Sequence, residues 1–158
     1  MLSPTQSRRR LKPSAAPDGP TALASSALGS ASFASRPKIV VVDDDDDVAQ
    51  SLQFVLETEG YAVEAYRSGR DLLRADLTAV ACLIVDYQLP NMTGTALLDA
   101  LGDKGARPPF IVIAASPDQR CRDWAVRNQA DLIEKPLLGG DLSAKVNKLL
   151  NPGAALAG

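Results

Sequence analysis

The sequence predicts an α/β fold, a doubly wound parallel sheet in which five strands alternate with five helices over about 115 residues. Three observations lead there. The runs Ile39–Val42 and Ala81–Val85 are apolar without alternation, as in strands buried on both faces. Segments with helical spacing follow them. Charged residues then recur where strands stop, at Asp43, Asp86 and Lys135, the edge at which open α/β sheets hold their ligands.

Each element follows in order. "KIVVV" is the first strand. "DDVAQSLQFVLETEG" places Val48, Leu52, Val55 and Leu56 on one helical stripe, which Gly60 ends. "YAVEAY" is a short strand and "SGRDLLRAD" a short helix. "VACLIVD" is a second apolar strand, closing on Asp86, and "YQLPNMTG" is a loop broken by Pro90 and Gly94. "TALLDALGDKG" is helical, and "PPFIVIAAS" is the next apolar strand. Pro117 opens a helix with Ser116 as its cap. "ADLIEKP" is the last strand. "GGDLSAKVNKLL" is the last helix, turning Leu142, Val146 and Leu149 or Leu150 inward.

A chain of 158 residues with 46% hydrophobic content suits one domain with a sizeable core. The formal charge of -2, from 17 basic and 19 acidic residues, argues against broad nucleic-acid binding. Histidine is absent, so it serves neither as acid, base nor phosphocarrier here, and a zinc site is disfavoured. Cys82 and Cys121 form no close ligand pair and read as reduced residues of a cytoplasmic protein. No apolar run approaches a membrane span. Residues 1–36, rich in Ser, Ala and Pro, read as a disordered leader, residues 37–150 as the domain, and 151–158 as a short tail. Arg8–Arg10 read as part of a solvated tail, with contact to an anionic partner as the alternative. Asp18 and the prolines weaken a transit-peptide reading of the leader.

The strand ends carry the chemistry. Asp43, Asp44 and Asp86 would repel one another in a shared crevice unless a hard divalent cation sat among them, and oxygen ligands suit Mg²⁺. Lys135, on the other side, would neutralise further charge or grip an anion. Cation, lysine and a carboxylate nucleophile together make a workable phosphoryl-transfer site. Asp86 is the expected nucleophile, because it ends a central strand ahead of a Pro/Gly-shaped loop. Asp45, Asp46 and Asp47 read instead as helix-opening residues, favoured there by the helix dipole.

"IVVVDDD", "CLIVDYQLPNMTG", "PFIVIAAS" and "ADLIEKP", in that order and spacing, resemble a response-regulator receiver domain of two-component signalling. The resemblance spans residues 38 to about 150. It implies a flavodoxin-like, three-layer (βα)5 fold with strand order 2-1-3-4-5. It implies Asp86 as phosphoacceptor, and Asp43 and Asp44 as an acidic pocket with Asp44 the more direct Mg²⁺ ligand. The Gln88 backbone carbonyl would be a further ligand. Lys135 would contact the phosphoryl group, followed by Pro136 in a cis peptide. The donor would be a phosphohistidine on a histidine kinase or a histidine phosphotransfer protein.

Two positions depart from the family. Ala114 stands where a Thr or Ser hydroxyl usually bonds the phosphoryl group, leaving the Ala115 backbone N–H as donor there. Leu132 stands where a Tyr or Phe usually moves with that hydroxyl. A lost hydrogen bond to a charged acceptor costs about 1.5–3 kcal/mol, which weakens the phosphorylated state without forbidding its chemistry. The family also favours glycine at Asn128, just past the fourth helix, where Asn tolerates a left-handed backbone. Arg120, Arg122, Trp124 and Arg127 mark the face of helix 4, strand 5 and helix 5, a candidate surface for a downstream protein or a homodimer. Trp124 reads either as core or as an anchor there.

With no recognisable output domain or helix-turn-helix, the expected function is a stand-alone receiver. It accepts a phosphoryl group and signals by protein contact, with neither a nucleic-acid nor a membrane partner. The alternative is a pseudo-receiver, an interaction module that works without phosphorylation. A turnover phosphatase is disfavoured, because nothing in the chain reads as a substrate-gripping cap.

Overall fold

The structure, a computed structural model, describes residues 36–137 and 140–153. The expectations for residues 1–35, Arg8–Arg10 included, and for 154–158 lie outside the described residues. The chain forms β1 (Lys38–Val42), α1 (Asp46–Thr58), β2 (Ala62–Tyr66), α2 (Gly69–Leu73), β3 (Val80–Asp86), α3 (Gly94–Asp103), β4 (Phe110–Ala114), α4 (Gln119–Arg127), β5 (Asp131–Glu134) and α5 (Asp141–Leu150). All five strands are parallel and lie in the order β2-β1-β3-β4-β5, the order the family resemblance implies.

Side chains alternate across a strand, so each apolar run feeds two cores. Val40, Val42, Leu83, Val85 and Val112 face one way and pack with Leu72, Leu97, Leu98 and Trp124 from α2, α3 and α4. Ile39, Val41, Ile84, Ile111 and Ile113 face the other way and pack with Leu52 and Leu56 of α1 and Val146 of α5. The sheet is therefore the middle of three layers. Burying an aliphatic side chain of this size contributes about 1.5–3 kcal/mol, and most of these residues have no exposed surface. Among the described residues no helix is long and apolar enough to cross a membrane.

Several expectations change in detail. Residues 88–93 are a small antiparallel hairpin rather than an open loop, pairing Gln88 with Thr93 and Leu89 with Met92. Asn91 takes the positive φ that its turn requires (68°). The cap of α4 is Asp118, not Ser116: its carboxylate accepts the Cys121 N–H at 2.8 Å, and the helix starts at Gln119. On α1 the inward stripe is Ala49, Leu52 and Leu56, and Val55 is 43% exposed. Trp124 is a core residue, 6% exposed, with its ring 5.6 Å from that of Phe110 and its N–H donating to Asp99 Oδ1 at 3.0 Å. The anchor reading of Trp124 is set aside.

Past α4, Asn128 has φ −100°, and its side-chain amide donates to the Trp124 carbonyl at 2.9 Å. The left-handed residue is Gln129, with φ 52°, one position later than expected. A side chain in that conformation costs about 1–2 kcal/mol. Gln129→Gly is expected to stabilise the fold by up to about 1 kcal/mol, since the added chain freedom of glycine offsets part of the relief. Asn128→Gly is expected to destabilise it. Urea midpoints at unchanged slope check both.

Candidate functional site

The carboxyl ends of β1 and β3 adjoin, and each delivers a carboxylate into one crevice. Asp43 follows β1 and is 1% exposed. Its N–H donates to the Tyr66 carbonyl at 3.1 Å, and its Oδ1 accepts the Asp45 N–H at 2.9 Å. Asp45 in turn caps α1, accepting the N–H groups of Asp47 (2.9 Å) and Val48 (3.3 Å). The aspartate run thus divides as expected: Asp43 and Asp44 at the site, Asp45 as the cap, Asp46 and Asp47 in the first helical turn. Asp46 also meets Arg67 at 3.0 Å on the surface.

Asp86 ends β3 at 5% exposure, and its Oδ1 accepts the Gln88 N–H at 3.4 Å. Gln88 opens the hairpin two residues on. Lys135 follows β5, and the Lys135–Pro136 peptide is cis. Its backbone N–H donates to the Ala114 carbonyl at 2.8 Å, which fixes the end of β5 against that of β4. Its ammonium lies 3.0 Å from Asp43 Oδ2 and 3.4 Å from Asp86 Oδ2.

One oxygen from each of Asp43, Asp44 and Asp86 falls within 4.8 Å of the others. Three carboxylates and one ammonium leave a formal local charge of −2 (−3 + 1). Burial pushes Asp86 above its ordinary range, and the neighbouring Asp43 charge adds to this, against the pull of Lys135 and the Gln88 N–H. Burial works against the Lys135 charge, but its hydrogen bond to Asp43 and the charges of Asp86 and Asp43 outweigh that, so its pKa is raised. A hard divalent cation fits this donor set: all the side-chain ligands are oxygens, the deficit is two charges, and Asp44 faces solvent.

The structure brings Asp43, Asp44, Asp86 and Lys135 together. Ala115 lies exposed just past β4, and Ala114 before it is buried with only a methyl to offer. Leu132 is partly buried against the core cluster that holds Trp124. Three residues have roles at the site that were not read from the sequence, although Gly94 was named there as a loop breaker. A Cβ on Gly94 would collide with the Asp86 carbonyl and stand 2.9 Å from Val85 Cγ1, so α3 closes directly onto the strand end. Thr93 caps α3 through the Ala96 N–H at 3.1 Å. Tyr87 donates its hydroxyl to Asp118 Oδ1 at 3.1 Å. Glycine after a short polar run signalled the first of these. No local pattern signalled the Tyr87 contact, which spans 31 residues.

The response regulator receiver domain family matches residues 39–147. The transcriptional regulatory protein TdiR of Thauera aromatica is 32% identical over 114 residues, covering 71% of this chain and 50% of that protein. The transcriptional regulatory protein FixJ of Azorhizobium caulinodans is 34% identical over 116 residues, covering 72% and 55%. The chain thus spans about half the length of the curated relatives it matches. A CheY-like receiver domain from Methanospirillum hungatei superposes with a TM-score of 0.69 at 27% identity, over 77% of this chain and 98% of that one. Sequence, strand order and strand-end carboxylates agree, and the chain belongs to the response regulator receiver domain family.

Proposed function

We propose that Asp86 accepts a phosphoryl group from a phosphohistidine on a partner protein, and that the phosphorylated domain signals by contact with another protein. The observation that carries this is the Lys135 ammonium lying within 3.4 Å of both Asp43 and Asp86, beside a third carboxylate. An interaction module indifferent to phosphorylation has no use for carboxylates held together at such electrostatic cost.

An Asp86 oxygen attacks phosphorus as the donor's P–N bond breaks, and the bonding pair leaves with the imidazole nitrogen. Lys135, already between two carboxylates, offsets charge on the transferring phosphoryl oxygens, and the Ala115 N–H adds a donor on the β4 side. Asp43, Asp44, Asp86 and the Gln88 carbonyl are the ligands for Mg²⁺, which when bound supplies further charge neutralisation at those oxygens. The chemistry modifies the protein itself and turns over no separate substrate. A groove of about 500 Å³ beside the site, lined by Val48, Leu52, Val55, Pro136 and Leu137, offers a donor protein somewhere to dock. Residues 37–150 form the receiver domain in this reading, and histidine kinases or histidine phosphotransfer proteins in the cytoplasm are the donors.

Incubation with a phosphorylated histidine donor and Mg²⁺ is expected to give a hydroxylamine-labile adduct on wild type and none on Asp86→Asn. Intact-mass analysis reads the result, and an undiminished adduct on the variant refutes the assignment.

Mg²⁺ at ten times its Kd is expected to add about 1.4 kcal/mol of stability. Asp44→Asn is expected to lose most of that gain, while its metal-free unfolding midpoint stays near wild type.

In metal-free buffer the raised Asp86 pKa means that its charge costs folding free energy at neutral pH. Asp86→Asn is therefore expected to be the more stable protein there. As pH falls through the raised folded value, wild-type Asp86 protonates and the cost fades. The variant's advantage should be gone below the ordinary value of 3.8, as urea titrations across that window can establish.

A further inference from the structure

We propose that Tyr87 is a positioning residue that couples the state of Asp86 to helix α4, through the hydrogen bond its hydroxyl donates to the α4 cap, Asp118. The inference rests on the reading of Asp86 as phosphoacceptor.

Tyr87 follows Asp86 directly, and its backbone is held from both sides. Its N–H donates to the Ile113 carbonyl of β4, and its carbonyl accepts the Gly94 N–H of α3, both at 2.7 Å. The ring is 8% exposed, within the cluster that includes Ala114, Cys121 and Trp124. The side chain thus runs from the phosphoacceptor's own strand end to the residue that caps α4. Among the described residues this is the one side-chain hydrogen bond between the end of β3 and α4.

Its acceptor is where leverage is greatest. Asp118 Oδ1 takes both the Tyr87 hydroxyl and the Cys121 N–H, so displacing Asp118 displaces the first turn of α4. Only Ala115, Ser116 and Pro117 separate β4 from Asp118. A phosphoryl group that draws the Ala115 N–H toward Asp86 pulls this short loop at one end while Tyr87 holds the other. The tension has two outlets: α4 shifts with its cap, or the buried tyrosine hydroxyl loses its partner. Both alter the groove that Tyr87 lines with Thr93, Thr95, Arg120, Trp124 and Arg127. Neither Ala114 nor Leu132 has a polar group to carry such a link.

Amide NMR with Mg²⁺ and beryllofluoride, a mimic of the carboxyl-bound phosphoryl group, tests this on the full chain. Wild type is expected to show displaced resonances at the site (Asp43, Ala115 and Lys135) and along residues 119–127. Tyr87→Phe keeps the ring and is expected to keep the site displacements, while those of α4 fall below about half of wild type. Asp118→Ser retains a cap for α4 but is too short to reach the tyrosine, so it should match Tyr87→Phe. Asp118→Asn, which can still accept both bonds, should behave as wild type. Undiminished α4 displacements in Tyr87→Phe and Asp118→Ser overturn the inference, as does a wild type that responds at the site but not in α4. A wild type that responds nowhere overturns the phosphoacceptor reading and this inference with it.

Discussion

Lys135 reaches back from the end of β5 across the end of β4 to meet Asp86 on β3 and Asp43 just past β1, at 3.4 and 3.0 Å. That ammonium is what allows two carboxylates, 1% and 5% exposed, to end adjacent strands. Leaving either charge buried and unpaired costs several kcal/mol. The contact exists only because the sheet is ordered β2-β1-β3-β4-β5, which stacks all three residues along one edge. In return it ties three strands together at that edge, where the backbone hydrogen bonds of the sheet run out. The site and the sheet edge are held by the same atoms.

The crevice has its charged groups in place and is bare where movement is concerned. Ala114 offers a methyl and Leu132 an aliphatic chain, so no hydroxyl passes from the site toward β5. Polar contacts around α4 lie elsewhere. Trp124 meets Asp99 on α3, and Arg122 meets Glu134 on β5 at 3.2 Å. The second is exposed and contributes little. The first joins a buried ring to an exposed carboxylate, so α4 and α3 are held to each other by a directional bond as well as by packing.

Much of this was legible in the sequence. Ile39–Val42 and Ala81–Val85 announced buried strands because a parallel sheet covered on both faces leaves them no polar position. Asp43, Asp44, Asp86 and Lys135 were readable as a group because each closes a strand. Misreadings fell where local signals compete. Ser116 and Asp118 both cap well, and the choice depended on where β4 released the chain. Asn128 tolerates the left-handed conformation better than Gln129, but Asn128 instead donates to the Trp124 carbonyl. Trp124 was not misread but left open between core and anchor, because it sits on a helix dense in arginines and its burial is a tertiary outcome. Tyr87 and Asp118 lie 31 residues apart, beyond any periodicity.

Asp43 and Asp44 are neighbours in sequence and unequal in obligation. Asp43 binds the N–H that precedes α1, anchors Lys135 and packs out of solvent. Any replacement there disturbs a helix start and an ion pair together with the candidate metal site. Asp44 faces water. A substitution at Asp44 would therefore touch the candidate metal site alone, whereas at Asp43 the fold itself would veto the change.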